Sequence, residues 1–247
     1  MAINVTIWNE FRHEKKNDLV KAIYPNGLHA CIKEFLDGEE DMNVTITSLD
    51  EPEQGLCDEL LNNTDVLLWW GHMYHGEVSD ALVEKIKARV LSGMGFIPLH
   101  SGHHSKAFKA ILGATGNLTW GRNQTAIVWN LCPTHPIAKG IPSYFTLCEE
   151  LYAEPFFIPK PDDLIFGTWY EDGNIFRGGA TFTRGFGKIF YFHPGHETCE
   201  SFKNEYVQTI IKNAIRWAAP VKPAEGFKLD GCIHQLEDDT PYKKSAK

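Results

Sequence analysis

Three short segments of this sequence are built to do chemistry: His72-Met73-Tyr74-His75, His100-Ser101-Gly102-His103-His104 and His193-Pro194-Gly195-His196. They hold seven of the chain's 11 histidines. Imidazole is the commonest protein metal ligand and the usual carrier of protons near neutral pH. Any one of these histidines is more often a hydrogen-bonded structural residue, but their grouping points to a shared site. Catalytic zinc takes three protein ligands and leaves a position for water or substrate. We therefore expect a divalent metal, zinc first, with ligands drawn from His72, His100 and His196, and Glu10 or His29 as further ligands. His103 and Glu197 are expected beside the ligands, orienting them or moving protons. Glu150, in the acidic run Glu149-Glu150-Leu151-Tyr152-Ala153-Glu154, is a further acid–base candidate. The H-E-x-x-H motif of metalloprotease helices is absent.

The surrounding pattern says what must position these residues. Ile3–Trp8, Val44–Ser48, Asp65–Trp70 and Gly95–Leu99 read as strands; His29–Leu36, Leu56–Leu61, Val78–Leu91 and Ser105–Leu112 read as helices. That alternation predicts parallel βαβ units and a doubly wound sheet. Ligands bind such sheets beyond the carboxyl ends of the strands, where His72, His100 and Trp8-Asn9-Glu10 all fall. In the second half Ala126–Trp129, Leu164–Trp169, Ile175–Phe182 and Lys188–Phe192 read as strands with tight antiparallel turns. The span 133–161 holds six of the 13 prolines and reads as extended loop with short strands, and Trp120 is expected in a loop. Ser201–Ala218 carries an amphipathic stripe of Phe202, Tyr206, Ile210, Ala214 and Ala218. We expect one α/β domain over 1–220 and a polar C-terminal tail over 221–247.

At 247 residues the chain is long enough for one well-buried core. Its formal charge of −8 argues against general binding to nucleic acid or anionic membranes. Neither a signal peptide nor an apolar run of bilayer-spanning length is present, so a cytoplasmic protein is expected. The six cysteines form no C-x-x-C pair. The strand–turn–helix at Pro98-Leu99-His100-Ser101-Gly102 has the outline of a nucleophile elbow, but the tip is His100. Ser101, directly before the glycine, is read as the cap of the following helix.

The sequence resembles the trehalose-utilisation (ThuA-like) family, whose fold is like that of class I glutamine amidotransferases. The resemblance rests on Trp8-Asn9-Glu10 with His13-Glu14, Tyr24-Pro25 with Gly27 and His29, Trp69-Trp70-Gly71-His72, Leu99-His100-Ser101-Gly102, His135-Pro136-Ile137, Glu149-Glu150-Leu151-Tyr152, and Gly187–Glu197 leading into Asn213–Trp217. It spans most of residues 3–220. It implies a three-layer, mostly parallel sheet, flavodoxin-like or amidotransferase-like, with antiparallel strands added in the second half. It also implies a small sugar as substrate: trehalose or a related disaccharide, the oxidised (keto) form included. Against the amidotransferase pattern, His100 replaces the elbow cysteine and the His-Pro-Glu motif is stretched to His193-Pro194-Gly195-His196-Glu197, so glutaminase activity does not carry over. Asn9, His75 and Trp120 are the expected sugar contacts, Trp120 by stacking on a ring face. A metal-dependent hydrolase, lyase or isomerase is thus expected, working as a homo-oligomer. The competing expectations are a non-catalytic sugar-binding or regulatory module on a degenerate amidotransferase-like scaffold, and a thiol hydrolase using Cys199 or Cys57.

Overall fold

The computed structural model describes residues 2–221. The expected polar tail therefore lies outside the described residues, apart from Val221. In chain order the elements are β1 (Ile3–Asn9), α1 (His13–Lys16), α2 (Asp18–Ile23), α3 (Leu28–Leu36), β2 (Met42–Ser48), α4 (Asp58–Asn63), β3 (Val66–Trp70), α5 (Asp80–Leu91), β4 (Gly95–Leu99), α6 (Lys106–Leu112), β5 (Thr119–Asn130), β6 (Tyr144–Ala153), β7 (Leu164–Tyr170), β8 (Ile175–Arg184), β9 (Gly187–Phe192) and α7 (Glu205–Ala218).

All nine strands form one sheet in the order β2-β1-β3-β4-β9-β8-β7-β5-β6. The block β2-β1-β3-β4-β9 is parallel; β8, β7, β5 and β6 are added antiparallel. The expected doubly wound, mixed sheet is thus what the chain forms. Every residue of β3 and β4 is buried, as continuous apolar runs require when helices cover both faces. On one face α5 and α6 pack over Trp8, Trp69, Phe96 and Tyr191. On the other, α3 and α7 pack over Val5, Leu68, Ile97 and Phe190. The helices start where side chains satisfy free backbone amides: Ser79 accepts from Leu82, Ser105 from Phe108, and Asn204 from Tyr206 and Val207. Among the described residues no helix is long and apolar enough to cross a membrane.

Three expectations need correction. The proline-rich span 133–161 contains the ten-residue strand β6, because its prolines fall outside Tyr144–Ala153. Trp120 lies on β5, which runs from Thr119 rather than Ala126. Ser101 does not cap α6; Ser105 does, while the Ser101 hydroxyl donates to the Gly71 carbonyl at 2.7 Å. The short helices α1 and α2, absent from the sequence reading, lack an apolar stripe long enough to announce them.

The register places the site. Asn9 pairs with Trp70, Trp70 with Leu99, and Leu99 with Phe192. These four residues form one row across the sheet, so Glu10, Gly71, His100 and His193 are each the first residue past the same rim. At the opposite end of β4, Gly95 lets α7 approach closely: a Cβ there would sit 2.6 Å from the Ala218 carbonyl oxygen. Gly95→Ala should cost about 1–3 kcal/mol in urea unfolding; an unaltered midpoint would refute the tight helix–sheet contact.

Candidate functional site

Four side chains converge beyond that rim. His72, His100, Glu150 and His196 each place one ligand atom within 4.8 Å of the others. His72 follows β3, His100 follows β4, His196 follows β9, and Glu150 comes from β6. That last strand reaches the rim because β5 pairs with β7 only as far as Ala126; its earlier residues and their β6 partners run on past the end of β7. A second group shares His72: His13, His72 and Glu197.

Hydrogen bonds fix several ring tautomers. His100 Nδ1 lies 3.0 Å from the His193 carbonyl, which only accepts, so Nδ1 carries the proton and Nε2 faces the site. There Nε2 meets Glu150 Oε2 at 3.1 Å and the Tyr152 hydroxyl at 3.2 Å. His103 Nδ1 donates to the Gly116 carbonyl at 2.6 Å, leaving its Nε2 as an acceptor. His196 is different. Its Nδ1 accepts from the Thr198 amide at 3.2 Å, so the neutral ring protonates Nε2, which points at Glu150 and Glu197. Loading an ion at Nε2 requires that proton to leave; the Thr198 hydroxyl, 2.8 Å from Nδ1, can then accept from a reprotonated Nδ1.

Charge balance explains the shifts. Burial holds His72 down to about 4, and His75 and His103 down to about 3, so all three are neutral near pH 7. Burial opposes the charge on His100, but Glu150, Glu149 and Glu197 outweigh it and raise its pKa. His13 is raised mainly by its hydrogen bond to Glu197. Burial raises both carboxylates, yet His100 holds Glu150 low, and His13 with neighbouring rings holds Glu197 at about 2. Two buried carboxylates thus call for positive charge, and they raise the pKa of the neighbouring His100 and His13 rings. Glu197 Oε2 is buried and makes no hydrogen bond. An N/O donor set with an unsatisfied carboxylate oxygen fits a divalent ion.

The remaining predicted residues sort cleanly. Glu10 is 1% exposed and both oxygens are used on backbone amides, of His72 at 2.8 Å, Tyr74 at 2.9 Å and Met73 at 3.3 Å. It shapes the His72 loop and belongs to neither ligand group. His29 and Asn9 also stand apart: the Asn9 amide donates to His29 Nδ1 at 2.9 Å and to Glu14 at 2.7 Å. His75, His103, Trp120 and Tyr152, with His72 and Glu150, line a cleft of about 390 Å³. Trp120 stands 70% exposed at this cleft. Cys199 is buried, which pushes its thiol pKa up and away from reactivity; Cys57 precedes α4 and lines no part of the cleft.

Sequence reasoning missed Glu149 and His13. Glu149 is fully buried and accepts from the amides of Gly195 at 2.8 Å, Glu150 at 2.9 Å and His196 at 3.1 Å. It fixes the His193–Glu197 loop, whose Gly195 has φ +141° and leaves no room for a Cβ, 2.6 Å from the Phe202 ring. The acidic pair Glu149-Glu150 was the available signal. His100 itself adopts φ +47°, costly for a branched ring, at the tip of the turn after β4.

A profile of the ThuA (trehalose utilisation) family matches residues 4–218, and the chain belongs to that family. A comparison with curated proteins finds no match. Among solved structures, a ThuA-like protein from Parabacteroides merdae superposes with a TM-score of 0.64 at 15% identity, covering 92% of this chain and 95% of that one. A ThuA-like protein from Bacteroides uniformis gives 0.62 at 16% identity, over 87% and 91%. A protein from Salmonella typhimurium described as cytoplasmic gives 0.62 at 12% identity, over 88% and 99%. At these identities the likeness is one of fold.

Glu149→Gln puts an amide donor against backbone donors and should cost about 2–4 kcal/mol. Hydrogen exchange at Gly195 and His196 should speed up; unchanged protection there would show that the carboxylate does not hold the loop. The lowered pKa values of His75 and His103 mean that below about pH 6.5 the unfolded chain takes up protons the folded one refuses. Their contribution to stability is therefore complete above pH 6.5 and declines as pH falls toward about 3. Metal-free protein should melt lower at pH 5 than at pH 7, and His103→Gln should flatten that slope.

Proposed function

We propose that the protein is a metal-assisted enzyme acting on trehalose or a related keto-disaccharide. The observation carrying this reading is the meeting of His72, His100, Glu150 and His196 beside a cleft bordered by an exposed tryptophan. These four residues would hold the ion, with zinc the first choice for a site rich in imidazole. When bound, a divalent ion supplies a Lewis acid that polarises a carbonyl or a leaving oxygen.

The protein's own groups provide the rest. Trp120 offers a flat apolar face on which a sugar ring can stack. His103, neutral with Nε2 as acceptor, orients a sugar hydroxyl, and His75 lines the same wall. Burial and nearby carboxylates raise Tyr152 well above 10, so it keeps its proton, and its hydroxyl stands 3.2 Å from His100 Nε2. Glu150 and Glu197 remain ionised and can receive a proton. This set suits acid–base chemistry on a carbonyl-bearing sugar, by hydrolysis, elimination or isomerisation. Among the described residues the lining contains no lysine or arginine, and its one carboxylate is Glu150. An uncharged sugar suits such a wall. The wider reading is a cytoplasmic homo-oligomer that works on a free small molecule and on neither nucleic acid nor membrane.

Protein purified without a histidine tag should carry stoichiometric metal. A chelator should abolish turnover of trehalose or its keto derivative, and added zinc should restore it. His100→Ala should lower kcat by at least about 100-fold, and Trp120→Ala should chiefly raise KM, by roughly five- to tenfold. A disaccharide that raises Tm with no turnover in any metal-loaded form would favour a binding module and overturn the enzymatic reading.

A further inference from the structure

We infer that the site takes two divalent ions, with Glu197 as the carboxylate between them. The inference rests on the metal-assisted reading and extends it to a second ion, held by His13, His72 and Glu197.

The distances within this second group have the size of a coordination shell. His13 Nδ1 lies 3.2 Å from His72 Nδ1, Glu197 Oε1 lies 3.3 Å from His13 Nδ1, and Glu197 Oε1 lies 3.5 Å from His72 Nδ1. Tetrahedral ligands at bond lengths of about 2.0–2.1 Å stand about 3.3–3.4 Å from one another. The three atoms therefore trace one face of such a shell. Two imidazole nitrogens aimed at each other can share one proton or one ion, and the carboxylate oxygen beside both favours the cation.

The other oxygen of Glu197 supplies the independent sign. Glu197 is 6% exposed, and Oε2 is buried with no hydrogen-bond partner. It faces the first group, 3.5 Å from His196 Nε2. One carboxylate thus turns Oε1 to His13 and His72 and Oε2 to the side of His196, as a bridging ligand does. If His72 serves the second ion through Nδ1, the first keeps His100, His196 and Glu150, a full three-residue set. Each group then has one carboxylate to offset its ion, Glu150 in one and Glu197 in the other. Paired ions a few ångströms apart clamp both the attacking and the leaving oxygen of a reaction, which a single ion does not. The chain delivers His13 through α1, directly after the turn that carries Glu10 and Phe11.

Metal-stripped, tag-free protein would be titrated with Zn²⁺ and with Mn²⁺, and bound metal counted by mass spectrometry after desalting. Wild type is expected to plateau at two ions per chain, and His13→Ala and Glu197→Gln at one. Circular dichroism and Tm of the stripped variants establish that each is folded. Mn²⁺-loaded wild type should show the broadened electron paramagnetic resonance of a coupled pair, and Mn²⁺-loaded His13→Ala the six-line spectrum of an isolated ion. A wild-type plateau at one ion, or two ions that survive His13→Ala, overturns the pair while leaving the metal-assisted reading in place. A plateau at zero overturns both.

Discussion

Everything at this site depends on buried carboxylates that accept backbone N–H bonds. A loop leaving a strand has amides with no partner in the sheet, and an unpaired buried amide is expensive. Glu10 takes three such amides from the His72 loop, and Glu149 takes two from the His196 loop besides that of Glu150. Charge-assisted bonds are stronger than neutral ones, so each carboxylate fixes its loop in one conformation. The Trp70 indole adds a bond to the Gly195 carbonyl at 2.9 Å. The site histidines and Glu197 sit past the strand ends while Glu150 sits on β6, yet the loops at Glu10 and Glu149 are tied down as firmly as strand ends. Preorganisation of this kind is what a metal site or an acid–base pair requires, since misplacement by an ångström loses most of the effect.

This division of labour separates what was legible in the sequence from what was not. The parallel half was legible because β3 and β4 are unbroken apolar runs and the helices between them carry clear stripes. The convergence of His72, His100 and His196 followed from topology alone, since parallel strands deliver their carboxyl ends to one rim. Glu10 stands at the expected rim, yet its oxygens are taken by backbone amides. A carboxylate at the rim looks the same in sequence whether it faces an ion or backbone amides, and three-dimensional bond counting is what tells them apart. Glu149 and Glu150 are adjacent residues with opposite duties, because side chains alternate across a strand: one points to the His196 loop and its neighbour to His100. His13 was seen in the sequence beside Glu10 but given no role, because α1 is a four-residue helix with no periodicity to say which way it turns.

The antiparallel half contributes the part of the site that a simple doubly wound sheet lacks. In such a sheet the crevice is walled by loops from parallel strands alone. Here β5 and β6 outrun β7, and the extension carries Trp120, Glu150 and Tyr152 to the histidines. Trp120 and Tyr152 are direct cross-strand partners, so the cleft's exposed aromatic and the hydroxyl beside His100 are held at one register position. A slip of one residue would turn both side chains to the other face. The prolines that made this span read as loop bound the strand at both ends without entering it.

The strain at His100 bears on why a histidine stands at this turn. A positive φ suits glycine, and a non-glycine residue holds it only where the surroundings compel it. The compulsion here is visible. His100 is wholly buried, its Nδ1 is bound by the His193 carbonyl, and its ring stacks on Tyr152 at 4.9 Å. In a nucleophile elbow, the same backbone geometry lifts a short reactive side chain clear of the sheet. An imidazole raised in the same way carries its Nε2 further out, to the height of Glu150 and His196. The strained turn thus presents an imidazole nitrogen among buried carboxylates, where a nucleophile elbow presents a short reactive side chain.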